Sequence, residues 1–245
     1  MIINGQPMQK IDLTKMLNVN FDNMDSLCEI PEFSEREITF YLRESNISGN
    51  IPKRFFECRF GNQLNSVEKA LKDFSLKETN DNAILLIGPT GTGKTTASVC
   101  AMHERAINGM NSGLYMSMRF FMPMLRTSRS FTAKESEYDL IKKYTETPFL
   151  VLDEIGTATS INEESEFLRT VIAGRYDNNL PTIFASNLSV SNFKLLLLGK
   201  RNSDFSTQES REQFLKAIEA DPIINRLKSV LAVLVLNGES KRGVA

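Results

Sequence analysis

The chain has 245 residues, 41% hydrophobic and 24% charged, with a formal net charge of −1. That length suits one large domain or a core domain with a small extension, and the even charge excludes binding to nucleic acid through global charge, so any such site is a local patch. Three scattered cysteines (Cys28, Cys58, Cys100) without a C-x-x-C, and one histidine, His103, exclude a zinc centre and a disulfide framework and fit a reducing cytoplasm. No apolar run reaches the ~18 residues of a membrane span, and no signal peptide is evident.

Residues 1–50 are polar with short amphipathic pieces. Residues 11–17 suit one or two helical turns. Ser34, followed three positions on by Glu37, forms a capping box that opens a helix. Ile38, Tyr41 and Leu42 share one face of it before Ser48-Gly49-Asn50 break it. This arm has too few apolar residues to bury a core alone. It either packs on the main domain or serves as a docking arm for a partner. Ile51-Pro52-Lys53-Arg54-Phe55-Phe56 starts a new segment, whose aromatics either pack in the core or lie against a nucleotide base. Residues 65–74 read as a helix with Val67, Leu71 and Phe74 on one side, and Asp81-Asn82 turn the chain into its first core strand.

Residues 83–96 read AILLIGPTGTGKTT. Gly88, Gly93, Lys94 and Thr95 satisfy G-x-x-x-x-G-K-[ST] without a mismatch. Glycines let the backbone curl so that successive N–H groups point inward, and the next helix starts with its positive dipole end on the same anion. The candidate phosphate-binding residues are therefore Gly88, Pro89, Thr90, Gly91, Thr92, Gly93, Lys94, Thr95 and Thr96. Lys94 is placed to reach the β- and γ-phosphates, and the Thr95 hydroxyl to ligate Mg²⁺. The bland alternative is a glycine-rich turn with an incidental lysine. The buried-strand character of Ile84-Leu85-Leu86-Ile87 opposes it.

A helix over 95–108 stops at Asn108-Gly109, with Cys100 and His103 as core and helix-surface positions rather than ligands. A strand over 113–118 completes a strand–loop–helix–strand unit of a parallel α/β sheet. Residues 119–143 mix Arg119, Arg126, Arg129, Lys134, Lys142 and Lys143 with Phe120, Phe121, Phe131 and Tyr138. The mixture suits a groove for single-stranded nucleic acid or an amphipathic helix pair with a solvated basic face. Phe149-Leu150-Val151-Leu152 is a second buried strand that ends in Asp153-Glu154. Asp153 is placed to hold Mg²⁺ through water, and Glu154 to act as general base on the attacking water.

A helix over 163–178 turns Phe167, Leu168, Val171 and Ile172 inward and Arg169 and Arg175 outward. The strand over 180–187 ends on Asn187, at the edge where parallel sheets bind ligands. There Asn187 orients the water or touches the γ-phosphate, unless it is a simple turn former. Residues 191–198 read as helix, 199–208 as a polar loop and 209–219 as helix. Asp221-Pro222 opens a further helix carrying Asn225-Arg226-Leu227. Residues 230–236 read as a last core strand, and 238–245 as a polar tail.

Taken in order, the loop at 88–95, FLVLDEIG at 149–156, Arg175-Tyr176 followed by PTIFASNL at 181–188, and Asn225-Arg226-Leu227 resemble the motifs of AAA+ ATPases. They look closest to the DnaC/IstB/DnaI branch of helicase loaders and transposition helpers, to which Ile51-Pro52-Lys53-Arg54-Phe55 is also similar. The resemblance covers about residues 50–240. It implies an α/β, three-layer P-loop NTPase of AAA+ type over residues 51–245, with a five-stranded parallel sheet in order 5-1-4-3-2. A small helical N-terminal extension, 1–50, precedes it. It implies ATP and Mg²⁺, with Lys94 and Thr95 in the Walker A role, Asp153 and Glu154 in Walker B, and Asn187 as sensor 1. Arg226 matches the arginine finger that enters a neighbouring subunit's site, where such a residue contributes ~10³-fold or more in rate. The stretch between Asn187 and Arg226 is longer than usual for the branch, and Pro222 stands where many members carry a basic residue. Arg201 and Arg211 therefore remain alternatives. The implied partners are a DnaB-type replicative helicase on the arm 1–50, single-stranded DNA on 119–143, and other copies through the finger, with no membrane.

The leading reading is an ATP-dependent helicase loader in replication initiation. Its competitors are a transposition helper ATPase on duplex DNA, a small-molecule P-loop kinase and an ATP-binding structural clamp. Kinases seldom carry adjacent Asp-Glu at the second strand and need a lid arginine cluster. The intact Glu154 favours hydrolysis over a pure clamp.

Overall fold

Near the N-terminus two short strands, Ile2–Ile3 (β1) and Gln6–Pro7 (β2), pair antiparallel, Ile2 against Pro7 and Ile3 against Gln6. They belong to the first of two compact units, Met1–Ser34 and Glu35–Ala245. The computed structural model describes residues 2–3, 6–7, 50–77, 83–110, 113–201 and 207–237. The helical turns expected at 11–17, the capped helix from Ser34, the turn at Asp81-Asn82 and the tail over 238–245 lie outside the described residues, as does the 202–206 part of the polar loop.

The second unit is organised by five strands: Ala83–Ile87 (β3), Leu114–Ser117 (β4), Leu150–Ile155 (β5), Thr182–Ser186 (β6) and Leu231–Val235 (β7). All pairings are parallel and the order is β4-β5-β6-β3-β7. Counted along the chain within this sheet, that is the expected 5-1-4-3-2. Runs such as AILLI and TIFAS show no polar alternation because helices cover both sheet faces.

Side chains alternate between the two faces along each strand. Ile84, Leu86, Tyr115, Val151, Ile183 and Ala185 point to one core, shared with helices Ser66–Ser75 (α1) and Lys94–Ile107 (α2) and with Ile51 and Phe55. Leu85, Met116, Leu150, Leu152 and Phe184 point to the other. That side is covered by Met118–Ser128 (α3), Glu137–Glu146 (α4), Ile161–Asp177 (α5), Val190–Leu197 (α6), Gln208–Ala220 (α7) and Pro222–Val230 (α8).

Local chemistry fixes the helix starts. Asn65 and Glu68 form a capping box on α1, with bonds of 2.9 and 3.0 Å. Asp221 caps α8 by accepting from the Ile223 and Ile224 amides, with Pro222 in the first turn, where its missing N–H costs nothing. Asp221 is itself paired with Arg169 of α5 at 2.7 Å.

Three expectations are corrected. Arg175 does not face outward; it is 2% exposed. Its guanidinium donates to the carbonyls of Tyr144, Thr147 and Pro181 and to the Thr182 hydroxyl, tying α4 and β6 to the end of α5. His103 is not on the helix surface but buried, with its Nδ1 donating to the Cys58 carbonyl. β7 is not a fully buried core strand. It lies at the edge of the sheet, with one side unpaired among the described residues, and Val233 and Val235 are 40% and 44% exposed.

Candidate functional site

The loop after β3 is shaped by its glycines. A Cβ at Gly88 would stand 2.4 Å from the Leu236 carbonyl oxygen, so no larger residue fits there. Gly93 heads α2 with φ +95°, a left-handed conformation that glycine adopts without steric cost. No side chain caps that helix, which leaves its first turn facing the loop as an anion-binding terminus. The Thr92 hydroxyl donates to the Pro89 carbonyl at 2.9 Å and closes the turn, while Pro89, Thr90 and Thr96 are exposed. Lys94, in the first turn of α2, folds back so that Nζ donates to the carbonyls of Gly88 and Pro89 at 2.6 and 2.8 Å.

The second half of the site comes from the end of β5. Asp153 is 2% exposed, and its Oδ2 accepts from the Thr95 hydroxyl at 2.6 Å and from the Tyr115 hydroxyl at 2.9 Å. Its Oδ1 accepts from the Glu154 amide at 2.8 Å. Glu154 has φ +56°, an uncommon conformation for a residue with a side chain. It sits where the register between β5 and β6 shifts, between Leu152 and Ile155. Such a bulge re-aims a side chain, and here the Glu154 carboxylate accepts from the hydroxyl of Ser117, the residue in register with Asp153 on β4.

The turn beyond is clamped. The Thr157 hydroxyl donates to the Glu154 carbonyl at 2.7 Å, and the buried Glu164 carboxylate accepts from the Gly156 amide at 2.8 Å. Burial pushes the Glu164 carboxyl above its ordinary range, against the opposing pull of its bonds to the Gly156 and Ala158 amides. Asn187, at the end of β6, donates from Nδ2 to the Thr90 hydroxyl at 3.2 Å and so touches the loop from the opposite side.

Lys94, Thr95, Asp153, Glu154 and Asn187 thus gather at the carboxyl edge of the sheet. Arg226 does not join them. Its guanidinium lies 3.6 Å from Asp177 and 5.4 Å above the Tyr176 ring, at the far end of α5, just before β6 begins. The 17 residues of α5 span about 25 Å, so this end lies far from the end that follows Glu154. Arg211 is exposed on α7, and Arg201 is exposed beyond α6. Sequence reasoning missed Ser117 and Tyr115. Ser117 carried the same signal as Asn187, a polar residue at the end of an apolar strand.

Residues 119–143 form the helices α3 and α4 and the turn between them. Arg126 pairs with Glu163 at 2.7 Å, and Arg129 with Glu137 at 2.7 Å and Glu163 at 3.3 Å. Phe121 is buried, whereas Phe120, Phe131 and Tyr138 are exposed, as are Arg119, Lys134, Lys142 and Lys143. Among the described residues there is no cluster able to hold a metal through His, Cys, Asp and Glu alone, and no helix long and apolar enough to cross a membrane.

The residues fit a nucleotide with a hard divalent cation. The loop offers an uncapped helix start and a lysine at its mouth. The Thr95 hydroxyl and Asp153 carboxylate converge at 2.6 Å, and oxygen donors of this kind suit Mg²⁺. Sheet order and loop define a P-loop NTPase of the AAA+ class. More narrowly, the chain belongs to the family of IstB-like ATP-binding proteins, whose model matches residues 29–242.

Among solved structures the chain is similar to DnaI, at 17% identity and a TM-score of 0.58 over 76% of this chain and 94% of that one. It is similar to a DnaC helicase loader at 16% identity and a TM-score of 0.52, over 76% and 100%. Domain III of the Thermotoga maritima replication initiation protein DnaA matches at 13% identity and a TM-score of 0.50, over 75% and 66%. At these identities the likeness is one of fold. No curated protein matches by sequence.

Proposed function

We propose that the protein is an ATPase that loads a DnaB-type helicase onto single-stranded DNA during replication initiation. One observation carries the reading: Thr95 bonded to Asp153, followed directly by Glu154, stands on a fold shared along nearly the whole length of the solved DnaI and DnaC helicase-loader chains. In this reading Lys94 exchanges its two loop carbonyls for the β- and γ-phosphates, and the α2 N-terminus takes the same anion. Thr95 and Asp153 would hold Mg²⁺, which would supply charge neutralisation on the phosphates. Glu154 accepts a proton from the attacking water, and Asn187 orients that water.

Arg226, remote from its own chain's site, serves a neighbouring copy, so turnover depends on assembly. Phe120, Phe131 and Tyr138, with the lysines around them, offer stacking faces and charge to a single strand. The arm 1–50 docks the helicase. The full-length chain is expected to co-elute with the hexameric helicase of its own replicon.

A second reading has one observation in its favour, the family itself: an IstB-like helper assembling on duplex DNA in transposition. ATP-dependent filaments on duplex DNA, with no helicase association, would select it and sink the loader.

A further inference from the structure

Tyr115 joins the acidic centre from an unexpected place. It lies in the middle of β4, 5% exposed, within the apolar core that also contains Phe74, Phe149 and Val151. It is in register with Val151, so Asp153, two residues further on, lies on the same face of the sheet. The Tyr115 hydroxyl reaches along the sheet to Asp153 Oδ2 at 2.9 Å, the oxygen that also accepts from Thr95. With the Glu154 amide on Oδ1, three donors fix one buried carboxylate.

Phenylalanine would fill the same apolar space. What tyrosine adds is a donor to Asp153, and a buried hydroxyl without a partner would be a cost.

We propose that Tyr115 is a positioning residue of the metal site, its hydroxyl holding the Asp153 carboxylate in the orientation that Thr95 and a nucleotide-bound divalent cation require. The inference rests on the reading of Asp153 as the acid on the magnesium side. Groups that orient metal-site ligands from behind typically carry about 10- to 100-fold in metal affinity or activity. The loss belongs to the metal step and not to nucleotide binding as such, because the phenol acts through Asp153.

The test uses the full-length Tyr115→Phe protein, a fluorescent ATP analogue and a Mg²⁺ titration. The Mg²⁺ concentration at half-maximal signal rises about 10-fold, while analogue affinity in EDTA stays as in wild type. An unchanged Mg²⁺ midpoint overturns the proposal. So does an equal loss of affinity in EDTA, which would mean a general distortion of the site. Asp153→Asn is run alongside. If it shifts the Mg²⁺ midpoint and Tyr115→Phe does not, the role of Tyr115 alone is overturned. If neither shifts it, the metal-side reading of Asp153 falls.

Discussion

The Thr95 hydroxyl donates to Asp153 Oδ2 at 2.6 Å, joining two positions 58 residues apart in sequence. One belongs to the first turn of α2 and the other to the end of β5. The bond exists because β3 and β5 flank β6 in a parallel sheet, which brings their carboxyl ends to the same edge.

Lys94→Ala should abolish ATP binding. The side chain is buried against the loop that it serves, with two carbonyl partners within 2.8 Å. Isothermal titration with ATP should show a loss of about 100-fold or more, in keeping with removal of a charged phosphate contact of about 3 kcal/mol. Binding within a few-fold of wild type would show that the loop does not cradle the phosphates through this lysine.

Glu154→Gln should keep ATP binding and lose hydrolysis by about 10²-fold or more. The amide matches the carboxylate in shape and can still meet the Ser117 hydroxyl, so the strained turn at φ +56° should survive. Single-turnover phosphate release separates the two steps. Normal hydrolysis in this variant would remove Glu154 from the role of base.

Arg226→Ala subunits should poison wild-type activity in mixtures. Arg226 lies beside Tyr176 and Asp177 at the far end of α5, and under the proposed function its contribution is made to another chain's site. ATPase activity should fall faster than the fraction of wild-type subunits. Simple linear dilution would point to Arg201 or Arg211 instead.

Stability should drop in mild acid through His103. Burial, reinforced by the nearby Arg59 charge, holds this imidazole below its ordinary range, against the pull of the Cys58 carbonyl. The folded state therefore refuses a proton that the unfolded chain accepts. The contribution is fully present above about pH 6.5 and is lost as pH falls toward the depressed value. Between pH 7.5 and 5.5 the wild type should lose more melting temperature than His103→Gln. Equal losses in both proteins would show that the group titrates alike folded and unfolded.

Much of this was legible in the sequence because the relevant residues obey short-range rules. The glycine loop needs residue types at fixed spacing, and unbroken apolar runs mark strands covered on both faces. Arg175 was misread because its charge was allowed to outweigh its phase. It follows Leu168, Val171 and Ile172 at helical spacing and so had to point inward; what could not be foreseen is that carbonyls of Tyr144, Thr147 and Pro181 wait there. The exposure of β7 was hidden for a different reason. An apolar run looks the same at the centre and at the edge of a sheet, and only pairing tells them apart. Tyr115 and Ser117 escaped notice because their partners, Asp153 and Glu154, are set by strand register, a long-range property.

The most direct measurement is helicase deposition on closed circular single-stranded DNA. Wild-type protein with ATP should transfer the hexameric helicase onto the circle, and Lys94→Ala should fail to do so. Equal deposition by both proteins, or no deposition alongside ATP-dependent filaments of the protein on duplex DNA, would contradict the account.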